Sequence, residues 1–270
     1  MSDRPLASSA NPRLKLARAL ATRRGREREG RFLLEGPKAL AEALELAPGV
    51  VELVLWRTGE EERVAAALEL ARARRVPCLE VAARAFEGLS QVETPQPLLA
   101  VARQVWRELP ALLGAAEGAP RAVVALAGVQ DPGNVGTILR TAAFFGLAGA
   151  VFLPGSQDPW GPKVVRASAG ALLLHPPAQA EPAALLEAAR RAALQPVALV
   201  AHGGDPPAAI PARALLLLGA EGPGLPAALA AGARQVTIPG AGGAESLNVA
   251  VAFGVAAHCW RAAAGVADPS

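Results

Sequence analysis

From Arg121 onward, short runs of almost wholly apolar residues alternate with longer segments of helical period. The apolar runs are Ala122–Ala127, Ala150–Leu153, Pro196–Ala201, Ala214–Leu218 and Gln235–Ile238. Helices are expected at Val135–Phe145, Pro162–Gly170, Pro182–Ala193, Pro226–Ala231 and Ser246–Ala263. A strand with one wet face alternates polar and apolar side chains, whereas a strand apolar on both faces has to be covered on both. Strands of the second kind, separated by helices, specify a parallel sheet with helices on each side, an α/β fold. Ligands of such sheets bind beyond the carboxyl ends of the strands. The most unusual loops of this chain follow or flank those ends.

The part before Arg121 reads as a smaller α/β unit, residues 1–103, joined by a linker rich in Ala, Gly, Glu and Pro at 104–120 to a larger domain at 121–270. In the small unit, helices are expected at 11–24, 37–46, 60–75 and 84–89, and extended segments at 32–35, 50–56, 76–81 and 98–103. Charge divides the chain in the same sense. Residues 1–31 carry nine Lys and Arg against three acids, a charge of +6, and the total of +3 then leaves −3 for the remainder. A basic end on a mildly acidic body suits a polyanion-binding arm, and a solvated basic helix explains it equally well. The candidate polyanion-contacting groups are Asn11, Arg13, Lys15, Arg23, Arg24 and Arg31. Two scattered cysteines, Cys78 and Cys259, make no disulfide framework and no zinc spacing, which fits a reducing, cytoplasmic setting without a structural metal. The start MSDRPLASSANPRLK has no apolar core of a signal peptide, and no window reaches membrane-spanning length.

Three loops carry polar groups that a packed core does not need. In DPGNVGTILRTAAFFG, Asp131–Gly133 is turn chemistry and Asn134 is expected to cap the helix that follows. Arg140 is the lone charge of that helix, with no carboxylate at i±3 or i±4. Its partner is then Glu221 or a substrate phosphate, unless the side chain simply reaches solvent. In LLLLGAEGPGL, a buried strand runs into a turn with three glycines, and Glu221 is the only charge between Arg213 and Arg234. That loop has neither the Lys-Ser/Thr ending of a Walker motif nor the dinucleotide-binding spacing. In IPGAGGAESLNVAVAFGV, Glu245 or Ser246 is expected to cap the last helix. Ser246 and Asn248 then offer uncharged hydrogen-bonding groups at its positive end, with Leu247 and Val249 packing inward.

Taken together, in this order and spacing, the three loops resemble the signature motifs of the SpoU (TrmH-type) RNA ribose methyltransferases of the SPOUT superfamily. KVVRASAGAL, from Lys163, is similar to the family segment between the first two motifs. NPRLKLARAL and GRFLLEGPKALAEAL resemble the substrate-binding domain of many members, a fold akin to some ribosomal RNA-binding proteins. The resemblance implies a parallel-sheet catalytic domain with a deep trefoil knot, a homodimer, and S-adenosylmethionine held in the knot. Gly219, Ile238 and Leu247, with Leu218 and Ala201 as weaker matches, fall at positions that hold the adenosine end of the cofactor. Asn134, Arg140, Glu221, Ser246 and Asn248 match the polar cluster at the reaction centre. Members usually carry Met where Gly240 stands, a change that loosens the cofactor loop, and often an acid where Ala127 stands.

The implied reaction is methylation of a ribose 2′-hydroxyl, with ribosomal RNA favoured over tRNA because a full substrate-binding domain is present. His175, His202 and His258 lie outside the motifs and supply no evident base. The family proposal makes the first-motif arginine the base, but a guanidinium stays protonated. Arg140 is therefore read first as a clamp on the phosphate beside the target ribose. Two other classes compete: a non-catalytic RNA-binding or ribosome-assembly factor on the same fold, and a nucleotide-binding kinase or dehydrogenase. Intact polar residues in all three motifs weigh against the former, and the absence of Walker and Rossmann fingerprints against the latter.

Overall fold

The computed structural model describes residues 5–90, 95–114, 118–243 and 245–265. The chain forms two compact units, Met1–Val105 with Trp160–Leu174, and Trp106–Pro159 with His175–Ser270. The segment 160–174, which follows the sheet pattern of the second half in sequence, thus packs in the first unit.

The first unit opens with α1 (Pro12–Ala19) and α2 (Arg23–Glu29). One helix over 11–24 was the expectation; the chain breaks it at 20–22. Thr22 caps α2 by accepting from the Gly25 amide at 3.1 Å, and Gly25 sits so close to Ala19 that a Cβ would lie 1.8 Å from the Ala19 oxygen. Next come β1 (Arg31–Glu35), α3 (Pro37–Leu46), β2 (Val51–Arg57), α4 (Glu61–Ala73), β3 (Cys78–Val81), α5 (Ala83–Phe86) and β4 (Leu98–Arg103). The sheet order is β1-β4-β2-β3, with β4 antiparallel to both neighbours and β2 parallel to β3. Strand β1 is apolar on both faces because both are covered. Leu33 joins Leu14, Leu20, Leu55 and Phe86 on one side. Its neighbour Phe32 points the other way and meets the Trp160 ring at 4.8 Å between centroids.

The second unit begins with α6 (Leu109–Leu113). This helix lies within the expected linker, and it is ordered because Leu112 and Leu113 are fully buried in the core of that unit. Then follow β5 (Arg121–Ala127), α7 (Pro132–Phe144) and β6 (Ala150–Phe152). The chain next supplies α8 (Pro162–Ala167) and α9 (Ala171–Leu174) to the first unit. It returns for β7 (Ala178–Gln179), α10 (Pro182–Arg191), β8 (Gln195–Leu199), one 3-10 turn at Pro207–Ala209, β9 (Arg213–Gly219), α11 (Ala227–Ala230), β10 (Arg234–Val236) and α12 (Val249–Ala263). The six strands are parallel throughout, in the order β10-β8-β9-β5-β6-β7. The expected parallel α/β sheet is therefore present; the two-residue edge strand β7 is too short to leave a sequence pattern. Among the described residues, no helix is long and apolar enough to cross a membrane.

Directly after α9, His175 is half-buried, and burial first, then the Arg107 guanidinium, hold its imidazole below the ordinary value. A folded state that resists protonation is favoured above the unfolded value of about 6.5 and loses that advantage as pH falls through it. The thermal midpoint should therefore drop between about pH 8 and pH 5 by more in the native chain than in His175→Gln, which has no proton to exclude. Equal drops in the two proteins, measured by differential scanning calorimetry, would show that His175 contributes nothing to the pH dependence.

Candidate active site

Parallel register places the three loops at one edge of the second unit's sheet. Ala127, the last residue of β5, pairs with Gly219, the last of β9. Leu199, the last of β8, pairs with Val236, the last of β10. The loops that leave these ends carry Asn134, Ala201, Glu221, Ile238 and the segment 245–248.

The first loop is fixed before its helix begins. The Ser156 hydroxyl donates to the Leu126 carbonyl at 2.8 Å and accepts from the Gly128 amide at 3.0 Å. Asp131 is the N-cap of α7, its carboxylate accepting from the Asn134 amide at 2.7 Å. The cap is thus three residues earlier than the sequence pattern indicated, because a carboxylate caps well and Pro132 suits the first turn. Asn134 is consequently inside the helix with its side chain released for other work.

That side chain joins all three loops. Its Nδ2 donates to Glu221 Oε1 at 2.7 Å. Its Oδ1 accepts from Asn248 Nδ2 at 3.0 Å. Asn248 is in turn the N-cap of α12, and its Oδ1 accepts from the amides of Ala250 and Val251. Glu245 and Ser246, the expected caps, lie outside the helix. The asparagine does better because one amide group accepts two backbone bonds and still has a donor for Asn134.

The second loop holds Glu221 at the tip of a tight turn. Ala220 and Gly224 exchange backbone hydrogen bonds at 3.2 and 3.0 Å. A Cβ on Gly219 would stand 2.3 Å from the Gly224 carbonyl carbon, so only glycine permits this closure.

Arg140 is exposed, on the α7 stripe that also presents Gly133, Thr137 and Phe144. Among the described residues it has no hydrogen-bond or ion-pair partner. Glu221, one of the two partners considered from sequence, is engaged by Asn134 instead. Ser246 is also exposed and makes no hydrogen bond among the described residues. Leu247, expected to pack inward, is 50% exposed, since the N-cap bonds of Asn248 turn the chain outward just before α12.

The backbone positions matched to the cofactor lie along the same edge. Leu218 is buried, Gly219 and Ile238 are half-buried, and Ala201 is exposed two residues beyond β8. Gly240, Gly242 and Gly243 have nothing within 4 Å of a built Cβ. An uncharged set of backbone groups with open apolar surface at Leu247 fits a neutral adenosine. Among the described residues, no three His, Cys, Asp or Glu side chains gather as a metal site would require.

The SpoU rRNA Methylase family profile matches residues 121–258, and the MRM3-like substrate binding domain matches residues 11–100. The chain belongs to the SpoU rRNA methylase family. A relative in Bacillus subtilis, the 23S rRNA (guanosine(2553)-2′-O)-methyltransferase RlmP, is 30% identical over 94% of this chain and 98% of its own length. An uncharacterized tRNA/rRNA methyltransferase of Synechocystis is 35% identical over 93% of this chain and 90% of its own. Among solved structures, the SpoU methyltransferase AviRb of Streptomyces viridochromogenes, in complex with AdoMet, has a TM-score of 0.82 at 29% identity. That match covers 93% of this chain and 97% of AviRb. An AdoMet-bound rRNA methyltransferase of Sinorhizobium meliloti has a TM-score of 0.81 at 31% identity, covering 96% and 97%. The SpoU chain described here is an RNA ribose methyltransferase that uses S-adenosylmethionine.

The Asn134 bridge can be tested by exchanging its donor. Asn134→Asp sets a carboxylate against Glu221 and removes the hydrogen bond, and a charged hydrogen bond of this kind is worth about 1.5–3 kcal/mol. Methyl incorporation into RNA should fall at least about tenfold. Adding Glu221→Gln restores a donor facing an acceptor, and much of the activity should return. Failure of the double variant to recover, with both proteins folded by circular dichroism, would mean that the pair acts through something other than this bond.

Proposed function

We propose that this SpoU enzyme methylates a ribose 2′-hydroxyl of ribosomal RNA, with Arg140, Asn134, Glu221, Ser246 and Asn248 forming its reaction centre. The observation that carries the reading is the amide relay Asn248–Asn134–Glu221, which joins all three motif loops at one sheet edge. Ribosomal RNA is supported by the relatives and by the substrate-binding match over residues 11–100.

Leu218, Gly219, Ile238, Leu247 and Ala201 would hold S-adenosylmethionine, mainly through backbone groups. When bound, the cofactor supplies an electrophilic methyl carbon. The work left to the side chains is to align the ribose oxygen and to manage its proton. Arg140 suits a phosphate: it is exposed, fully charged and free of any protein carboxylate among the described residues, and its planar fork grips phosphate through paired hydrogen bonds. A guanidinium beside the target ribose also stabilises negative charge growing on O2′. Ser246, with its hydroxyl uncommitted, is available to the same oxygen.

In the first unit, Arg13, Lys15, Arg23 and Arg24 are exposed and supply RNA affinity, Arg23 while paired with Glu27 at 2.8 Å. Two sequence candidates have local duties. Asn11 caps α1 by accepting from the Arg13 amide, and Arg31 is paired with Glu52 at 2.6 Å. A cytoplasmic location accords with an RNA substrate. A trefoil knot is part of the same reading, supported by the placement of the second and third motif loops after β9 and β10, on either side of β8 at one edge of the sheet.

Arg140→Ala should leave S-adenosylmethionine affinity unchanged by titration calorimetry and abolish most methyl transfer. Arg140→Lys keeps the charge but not the paired grip, and should fail nearly as badly. A lysine variant with most of the native rate would replace the clamp by simple charge stabilisation.

The reading also includes a homodimer. Helices α7 and α12 pack together and present Phe144, 82% exposed, and Val251, 53% exposed. An aromatic ring left this open to water is material for an interface. Sedimentation velocity should give a species of twice the 27.5 kDa chain mass, and Phe144→Glu should shift it toward monomer. A catalytically active monomer would remove the dimer from the scheme.

A further inference from the structure

A cavity of about 350 Å³ is lined wholly by residues of the first compact unit, among them β1, the start of α3, and the α8–α9 turn. Small-ligand pockets span roughly 300–1,000 Å³, so this one has room for a single nucleotide and none for a duplex. Much of the lining is apolar, Leu33, Leu99 and Leu172 included. Its polar groups have a definite pattern. Glu35, the last residue of β1, accepts through Oε1 from the Ser90 hydroxyl at 2.7 Å and from the Gln96 amide nitrogen at 3.0 Å. The carboxylate is thereby held in place while Oε2 has no partner among the described residues. The side-chain amide of Gln96 is likewise uncommitted there.

Two cations border the same space. Lys38 has a side chain 91% exposed and only a loose 3.9 Å contact with Glu42. Arg166, in the KVVRASAG segment, has no ion pair among the described residues. The wall behind Arg166 is held in a costly conformation. Ala169 takes the left-handed region at φ 45°, followed by Gly170 at φ 80°, and a non-glycine residue there persists only where its surroundings impose it. The KVVRASAG segment is thus part of this cavity, a role that the three motif loops leave open.

We propose that the cavity takes one unpaired guanine nucleotide of the RNA, at a site separate from the reaction centre. This rests on RNA as the substrate. A guanine edge offers two adjacent N–H donors beside a carbonyl acceptor. The free oxygen of Glu35 accepts from the donors, and the Gln96 amide donates to the carbonyl. Uracil instead flanks its single N–H with two carbonyl oxygens, which the carboxylate repels. Lys38 and Arg166 meet the phosphates on either side. Single-stranded RNA is commonly read in this way, by splaying a base out and bonding its edge.

The test uses the full chain and fluorescence anisotropy with a labelled oligouridine, the same oligomer carrying one central guanosine, and a third carrying inosine, which lacks the 2-amino donor. The guanosine oligomer should bind about tenfold tighter than oligouridine, the effect of a charged hydrogen bond, and inosine should lose most of the gain. Glu35→Gln keeps a carbonyl oxygen for Ser90 and Gln96 but points an amide donor at the base. It should erase the preference while leaving oligouridine affinity and S-adenosylmethionine binding unchanged. Val165→Trp, which fills the cavity, should do the same by a different route. Equal binding of guanosine and uridine oligomers by the native chain overturns the proposal, as does a preference that survives both variants. Free GMP competing as strongly as the guanosine oligomer would assign the cavity to a soluble nucleotide and overturn the RNA assignment. Failure to bind any of the RNAs would remove the RNA reading itself, and the pocket with it; loss of the preference alone removes only the pocket.

Discussion

The side chain of Asn134 is the contact on which the rest of the site depends. Its donor holds Glu221 and its acceptor holds Asn248, so one planar amide ties together loops separated by 87 and 114 residues in sequence. It can do so only because Asp131 has already taken over the capping of α7, and because the parallel register of β5 and β9 sets Ala127 beside Gly219. Neither condition involves substrate. The geometry of the cluster is therefore a property of the folded chain, and its polar groups need little rearrangement when ligands arrive.

The contrast between Asn134 and Arg140 divides the site into two kinds of residue. Asn134, Glu221 and Asn248 satisfy one another and form a finished frame. Arg140 and Ser246 are left without protein partners among the described residues. A charge with no internal partner has to face solvent or ligand, and the α7 stripe carrying Arg140 is exposed along its length. The side chains that hold one another and those left open to solvent or ligand are thus separable by their hydrogen bonds alone.

Much of this was legible in the sequence. The doubly apolar strands announced a parallel sheet, and all five longer strands fell within a few residues of their expected positions. The three loops were found because glycine, proline and isolated polar residues at strand ends have no use in a core. What was missed depended on contacts distant in sequence. The break between α1 and α2 brings Gly25 against Ala19 with no room for a Cβ and lets Thr22 cap α2, and periodicity continues smoothly across it. The burial of α6 depends on a core assembled from residues beyond 121. The capping assignments failed at Asn134 and Ser246 for a common reason: several good caps stood close together, and only the tertiary partners decide which is used. The orientation of the Glu35 carboxylate had no sequence signal, since the partners of its Oε1 lie 55 and 61 residues away.

The placement of Trp160 bears on how the protein is made. The ring covers Phe32 in the first unit, yet it is synthesised after β5, α7 and β6 of the second. A nascent chain that has just completed β4 has its four-stranded sheet but lacks part of the apolar cover on one face. Until residues 160–174 leave the ribosome, that face remains a hydrophobic surface in search of a partner, open to chaperones or to misassembly. The amino-terminal unit, first to emerge, is therefore unable to finish before the middle of its neighbour has been translated, and the two halves of the enzyme are bound to a shared schedule of folding.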